Sequence, residues 1–229
     1  MLSLTTAPPR DGDFLQKQMS AARDHLGSCR RCNLCKSRTK IVFGAGTPSA
    51  AIMVITDKPG YYEDQMGIPL VKTAGAVFKD ALHGIGLVPK RDIFATTVVK
   101  CIPPYQKVRG EVRRAMITQE QVSKCTPYLD WQINIVKPAI IVLQGKGANY
   151  ELLGDNRSFN QYVGHWRTFG EKCLVLSTHN PAGFFGDRAI LVEDYKAHWH
   201  SLAERLHLLG RMWRPDAPTF KAGWEYISD

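Results

Sequence analysis

The sequence predicts an α/β fold, with helices layered on a mainly parallel sheet of four strands. Two observations predict it. Four short apolar runs are followed by loop residues: Ala51–Thr56, Asp92–Val99, Pro138–Gln144 and Leu174–Thr178. Between them lie stretches whose apolar residues recur at helical spacing. Strands alternating with helices are the pattern of a parallel sheet with crossover helices.

In chain order, residues 1–12 contain Pro and Thr and are expected to be loose. Leu15, Met19, Ala22 and Leu26 share one helical face. A cysteine-rich segment follows, and then the first strand, Ala51–Thr56, which runs into the loop DKPGYYED. Ala74, Phe78, Leu82 and Ile85 mark a helix ended by Gly84 and Gly86. After the second strand, Cys101–Lys124 is polar and basic. A helix around Tyr128–Val136 leads into the third strand, and Gly145–Gly154 reads as a short helix before the fourth. Leu191, Tyr195, Trp199, Leu202 and Leu206 define a last helix. No repeat and no domain boundary appears, so one domain is expected over residues 1–229, with 211–229 as a tail. In such sheets ligands gather beyond the carboxyl ends of the strands, here Asp57, Lys100–Cys101, Gln144 and His179.

Composition narrows the function classes. The chain is 44% hydrophobic and 22% charged, ordinary for a globular protein. Its longest apolar runs are too short to span a membrane. The opening MLSLTTAPPRDGDF has no basic start followed by an apolar core, so an intracellular, cytoplasmic protein is expected. In that setting six cysteines read as thiols or metal ligands rather than disulfides. A net charge of +9 favours a polyanionic partner, most often nucleic acid.

The stretch GSCRRCNLCKSRT holds Cys29, Cys32 and Cys35. One Cys-x-x-Cys pair cannot close a tetrahedral site, so further ligands must come from afar. Cys101 follows the second strand and Cys125 lies across the basic segment. Four such thiolates suit either zinc or an iron–sulfur cluster, and spacing does not choose between them. Cys173, inside a strand, reads as a small packing residue, and Cys35 as a spare thiol.

Cys29-x-x-Cys32-x-Leu34, Arg38-Thr39, Val42-Phe43-Gly44 and Gly46 resemble the opening of the family-four uracil-DNA glycosylases, which carry a [4Fe–4S] cluster. Asp57-Lys-Pro59-Gly60 stands where that family has Glu-x-Pro-Gly. Gly67-Ile-Pro69-Leu-Val71-Lys-Thr-Ala74-Gly75 is similar to its Gly-x-Pro-Phe-Val-Gly-x-Ala-Gly. Val98-Val99-Lys100-Cys101-Ile-Pro103-Pro104 is similar to its Asn-Val-Val-Lys-Cys-Arg-Pro-Pro. Gly145, Ala148 and Leu152-Leu153-Gly154 resemble its third strand-to-helix turn, and His179-Asn180-Pro181-Ala182 its closing His-Pro-Ala. Six pieces in order span roughly residues 25–206. The resemblance implies a three-layer αβα sandwich of the uracil-DNA glycosylase kind. It places the cluster on Cys29, Cys32, Cys101 and Cys125, and leaves Cys35 as an extra thiol. It also implies a monomer acting on single- or double-stranded DNA, with no membrane partner.

A glycosylase extrudes its nucleotide and holds the base in a pocket. Positive charge then develops on the sugar and negative charge on the departing base. The chemistry needs a carboxylate near the sugar, a water, and donors aimed at the base oxygens. Asp57 is the candidate carboxylate. His179 or Asn180 is the candidate donor, the extra residue before Pro181 leaving both alignments open. Gly60, Leu70 and Thr97 are the candidate base-binding residues.

The departures from the family pattern fall in that pocket while the cluster ligands are kept. Asp57 replaces Glu, Leu70 replaces the Phe that stacks on uracil, Lys72 replaces Gly, and Thr97 replaces the Asn that reads the base edge. A single hydroxyl does not offer an amide's paired donor and acceptor. Two readings follow: a different pyrimidine, bulky at C5, or weak excision in a DNA-binding or base-modifying protein. A small electron-transfer protein fits poorly, since the chain has one ligand set and no second cofactor site. The 23 residues between Cys101 and Cys125 carry Lys107, Arg109, Arg113 and Arg114, candidate phosphate contacts, or else a solvated helix face partnered by Glu111 and Glu120. The tail mixes Arg211, Trp213, Arg214, Phe220, Lys221 and Trp224, a composition able to stack on bases or to pack on its own domain.

Overall fold

Every residue of the central strands is buried, which is why they read as continuous apolar runs rather than as alternating ones. The computed structural model describes residues 12–170, 173–184 and 189–208. The expected tail 211–229 and all but the last of residues 1–12 lie outside them. Strands β2 (Ile52–Thr56), β3 (Ile93–Thr97), β6 (Ile140–Gln144) and β8 (Cys173–Thr178) are the four predicted strands and are mutually parallel. The full sheet has six strands, with β1 (Ala45–Gly46) beside β3, then β2, β6 and β8, and β7 (Trp166–Phe169) at the far edge. The two edges the sequence did not reveal, β1 and β7, run antiparallel. A two-residue strand carries no period to detect, and β7 is only half-buried.

Alternate side chains of the strands feed two layers. Met53, Ile55, Phe94, Ile141 and Leu143 pack with α1 (Gly12–Leu26) and α5 (Gln119–Val136). Ile52, Val54, Ala95, Val142 and Leu176 pack with α3 (Lys72–His83) and α7 (Leu191–Leu208). The result is a three-layer αβα sandwich. Leu15, Met19, Ala22 and Leu26 form the buried stripe of α1, as their spacing predicts.

α5 starts nine residues earlier than the apolar pattern suggests. Thr118 and Gln121 form a reciprocal capping box, with bonds of 3.2 and 2.9 Å. Pro127 inside the helix obscures that start in the sequence. Cys125 therefore sits on a helix. The basic segment before it is no helix face but a hairpin of β4 (Tyr105–Val108) and β5 (Glu111–Arg114). Its two-residue turn, Arg109-Gly110, has positive φ at both positions, 50° and 86°.

Candidate active site and metal centre

In register, Thr97, Thr56, Gln144 and Thr178 end the four parallel strands side by side. The residues that follow, Val98, Asp57, Gly145 and His179, therefore share one rim of the sheet. Two backbone bonds lock the first pair: Val98 N donates to Thr56 O (2.8 Å) and Val99 N to Asp57 O (3.1 Å).

The turn from β6 into α6 (Lys146–Leu153) is the floor of the site. A Cβ on Gly147 would lie 2.7 Å from the Asp57 Cβ, and one on Gly145 would lie 3.2 Å from the Asn180 Cβ. Only glycine allows both approaches, so the turn seats Asp57 on one side and Asn180 on the other. Asp57 is partly exposed, and Lys58 Nζ donates to its Oδ2 at 3.2 Å. Asn180 Oδ1 accepts from Ala182 N (3.0 Å), capping the 3-10 turn Pro181–Gly183. His179 is half-buried among aromatic rings: Phe159 at 5.5 Å, His198 at 5.7 Å and Phe184 at 6.3 Å. Burial lowers its pKa, with Asp194 opposing, which favours the neutral ring.

Of the sequence-predicted base-binding residues, Gly60 is exposed, whereas Leu70 and Thr97 are fully buried. The Thr97 hydroxyl donates to Val99 O (2.7 Å), which turns it away from a ligand. Leu70 has φ +54°, and Glu63 explains how that is held. Its carboxylate accepts from Gly60 N (2.6 Å) and from Leu70 N (2.5 Å), bridging the two. Burial raises its pKa, the two N–H bonds lower it, and Asp57 raises it. Glu63 was missed in the sequence. Its signal was the i, i+3 step from Gly60, half of a capping box at the start of α2 (Tyr61–Met66). Beside it, both oxygens of buried Asp64 accept from Thr39 N, at 2.9 and 3.0 Å.

A second polar set was equally hidden. Arg167 Nη2 donates to Asn149 Oδ1 and Ser177 Oγ, both 2.6 Å, while its Nη1 donates to Asp155 (2.5 Å). Asn149 in turn donates to Gly145 O (2.8 Å), bracing the floor from behind. A cavity of about 800 Å³ runs along the β1 edge of the sheet, lined by α1, Ile41, Gly44–Thr47, Gly67, Ile68 and Lys90, and by none of Arg167, Asn149, Ser177 and Asp155.

The four candidate ligand cysteines surround one patch of core. Cys29, Cys32 and Cys125 pack against the buried cluster that contains Cys101. Cys101 is within electrostatic range of Cys125 and Cys32, and Cys125 of Cys32 and Cys29. Arg38 donates to Cys101 Sγ and Lys100 N to Cys125 Sγ, each at 3.3 Å. Among the described residues no three His, Cys, Asp or Glu side chains are placed to hold a single metal ion. Cys173 Sγ donates weakly to the neighbouring Leu174 O. On the hairpin, Arg113 pairs with Glu111 (2.6 Å), and Arg114 lies over the Tyr105 ring (3.6 Å). Lys107 and Arg109 are exposed and have no carboxylate partner among the described residues.

An open αβα sheet with a carboxylate, an imidazole and an amide on one rim defines the class, and comparison with known proteins gives it a family. Residues 43–203 match the uracil DNA glycosylase superfamily. A type-4 uracil-DNA glycosylase of Sulfurisphaera tokodaii is 33% identical, over 76% of this chain and 80% of that one. One of Saccharolobus solfataricus is 30% identical, over 80% and 85%. One of Thermotoga maritima is 30% identical, over 78% and 92%. The chain belongs to the uracil-DNA glycosylase superfamily, within its type-4 family. No helix among the described residues is long and apolar enough to cross a membrane.

Proposed function

We propose that the protein flips uracil, or a related pyrimidine, out of DNA and hydrolyses the bond between base and sugar. One observation carries this: the Gly145–Gly147 turn brings Asp57 and the His179–Asn180 segment to one place on the sheet rim. The names of the relatives support the same reaction.

As the bond from the base to C1′ breaks, the electron pair leaves with the base and the sugar becomes cationic. The Asp57 carboxylate stabilises that cation, orients the water whose oxygen bonds to C1′ and accepts the proton that water loses. The released base anion takes a proton from solvent. The negative charge reaches the base oxygens, where an N–H donor is needed. We assign that donor to His179. A neutral imidazole keeps one N–H to give, and its ring is held among Phe159, Phe184 and His198. The Asn180 amide, its oxygen fixed by Ala182 N, keeps its own N–H groups and is the second candidate donor. Glu63 holds Gly60 and Leu70 at the mouth of the base pocket. Lys107 and Arg109, at and beside the tip of the hairpin, are the strongest phosphate contacts, with Arg113 and Arg114 beside them.

A [4Fe–4S] cluster on Cys29, Cys32, Cys101 and Cys125 belongs to this reading. The donor set suits it: four thiols pack on one buried core cluster, and two of them receive N–H donors. Such a cluster supplies a crosslink between the cysteine segment, the end of β3 and α5. With it go a single domain over residues 1–229, a monomeric state and an intracellular setting.

The inward-turned Thr97 hydroxyl and the buried Leu70 favour a base other than plain uracil as the best substrate, or slow excision. The test is a panel of oligonucleotides bearing uracil, thymine and C5-substituted uracils, scored for alkali-labile abasic sites. Cleavage of at least one supports the reading. If cluster-loaded protein cleaves none, and Leu70→Phe/Thr97→Asn is also silent, binding or base modification replaces it.

A further inference from the structure

The ring of His179 does not stand alone at the carboxyl end of β8. His198, on the second turn of α7, stacks on it with ring centres 5.7 Å apart and planes within 24°. Phe159 and Phe184 meet its edges, so the imidazole is walled by three rings. His198 is itself fixed from both sides. Its Nδ1 shares a 2.9 Å hydrogen bond with the Thr178 hydroxyl. Its other nitrogen lies over Gly164, where a Cβ would come within 2.7 Å. Gly164 has φ +78° and donates from its N to Ser177 O at 2.8 Å, so the sheet's own backbone makes the space.

Position 198 also lies beside the buried stripe of Tyr195, Trp199 and Leu202 rather than in it. A partly exposed helix position off the buried stripe is ordinarily filled by a better helix former than histidine. The hydrogen bond, the stack and the glycine gap together account for the residue.

We propose that His198 is a positioning residue for His179, holding that ring in the orientation from which it donates to the departing base. This rests on the assignment of His179 as donor. The charged and titratable neighbours of the pair are few. Asp194, also on α7, raises the pKa of both rings, while burial lowers both. His179 and, from the loop before β7, His165 lower His198 further. Both surroundings thus favour the neutral form of the two stacked rings. Removing His198 would open His179 to water and free its rotation.

The experiment follows the His179 ring by NMR titration in wild type, His198→Ala and His198→Phe, alongside pH profiles of excision. In His198→Ala the His179 pKa is expected to move up toward the ordinary histidine value, taking the acid limb of the rate profile with it. The kcat is expected to fall roughly tenfold to hundredfold with KM little changed, as for a displaced catalytic group. His198→Phe keeps the ring wall and should leave both readings near wild type. It also serves if His198→Ala does not fold. A His179 titration unmoved in His198→Ala, or moved equally in His198→Phe, overturns the proposal. A moved titration with an unchanged excision rate upholds the pairing, and the donor role of His179 falls instead.

Discussion

Asp57, His179 and Asn180 are neighbours on the rim, yet their surroundings differ, and the tasks proposed for them differ accordingly. Asp57 keeps partial exposure and one cationic partner, Lys58. Asp57→Asn should lower excision about 10²–10⁴-fold in single-turnover assays while DNA affinity holds or rises. His179→Ala should cost about 10²–10³-fold, as loss of an anion-stabilising donor does. Asn180→Ala should affect the rate less but remove a cap, at about 1 kcal/mol in denaturant unfolding. These three residues were visible from their place after apolar strands. Their division of labour was not, because it depends on Ala182, Phe159 and His198, which no motif connects to them. pH adds a check. His179 and His198 have folded pKa values below those of the unfolded chain. Their neutral forms therefore favour folding above the ordinary histidine range, and that contribution is lost as pH falls through the lowered values. Asp155, at about 2 chiefly through Arg157, behaves likewise: its contribution is full above 3.8 and lost toward pH 2. Melting curves of Asp155→Asn should fall less steeply with acid over that window than those of wild type.

Among the elements, the four parallel strands were legible because burial on both faces leaves an unbroken apolar signal. The hairpin was not, for its residues are exposed on both faces and its positive-φ turn uses Arg109 ahead of Gly110. Glu63 and Arg167 escaped for a different reason: each serves partners that only the fold assembles. Glu63→Ala should strand the N–H groups of Gly60 and Leu70, destabilising by about 1–3 kcal/mol and weakening discrimination among pyrimidines. Lys107→Glu with Arg109→Glu should weaken DNA binding for every sequence and flatten its salt dependence, measured by fluorescence anisotropy across a salt series. Reversing Arg113 and Arg114 alone should do less, since Glu111 and Tyr105 already engage them.

Across the whole molecule, the cysteine segment and the base pocket are linked rather than separate. Arg38 reaches Cys101, and the next residue, Thr39, is held by Asp64 beside Glu63, which clamps Gly60 and Leu70. Loss of the proposed cluster should therefore loosen the proposed base pocket as well as the fold. Cys29→Ala, Cys32→Ala, Cys101→Ala and Cys125→Ala should each lose iron, brown colour and solubility, while Cys35→Ala and Cys173→Ala keep all three. Stoichiometric zinc without iron in fresh protein would refute the cluster. The reaction itself rests on Asp57 facing the β6–α6 turn, and one comparison decides it: the single-turnover rate of base release from a uracil-containing oligonucleotide, by wild type and by Asp57→Asn, both with full iron content. Release by wild type, slowed at least about 10²-fold in the variant at equal DNA binding, is the expected result. Equal rates in the two proteins would contradict the assignment of Asp57 and, with it, the site.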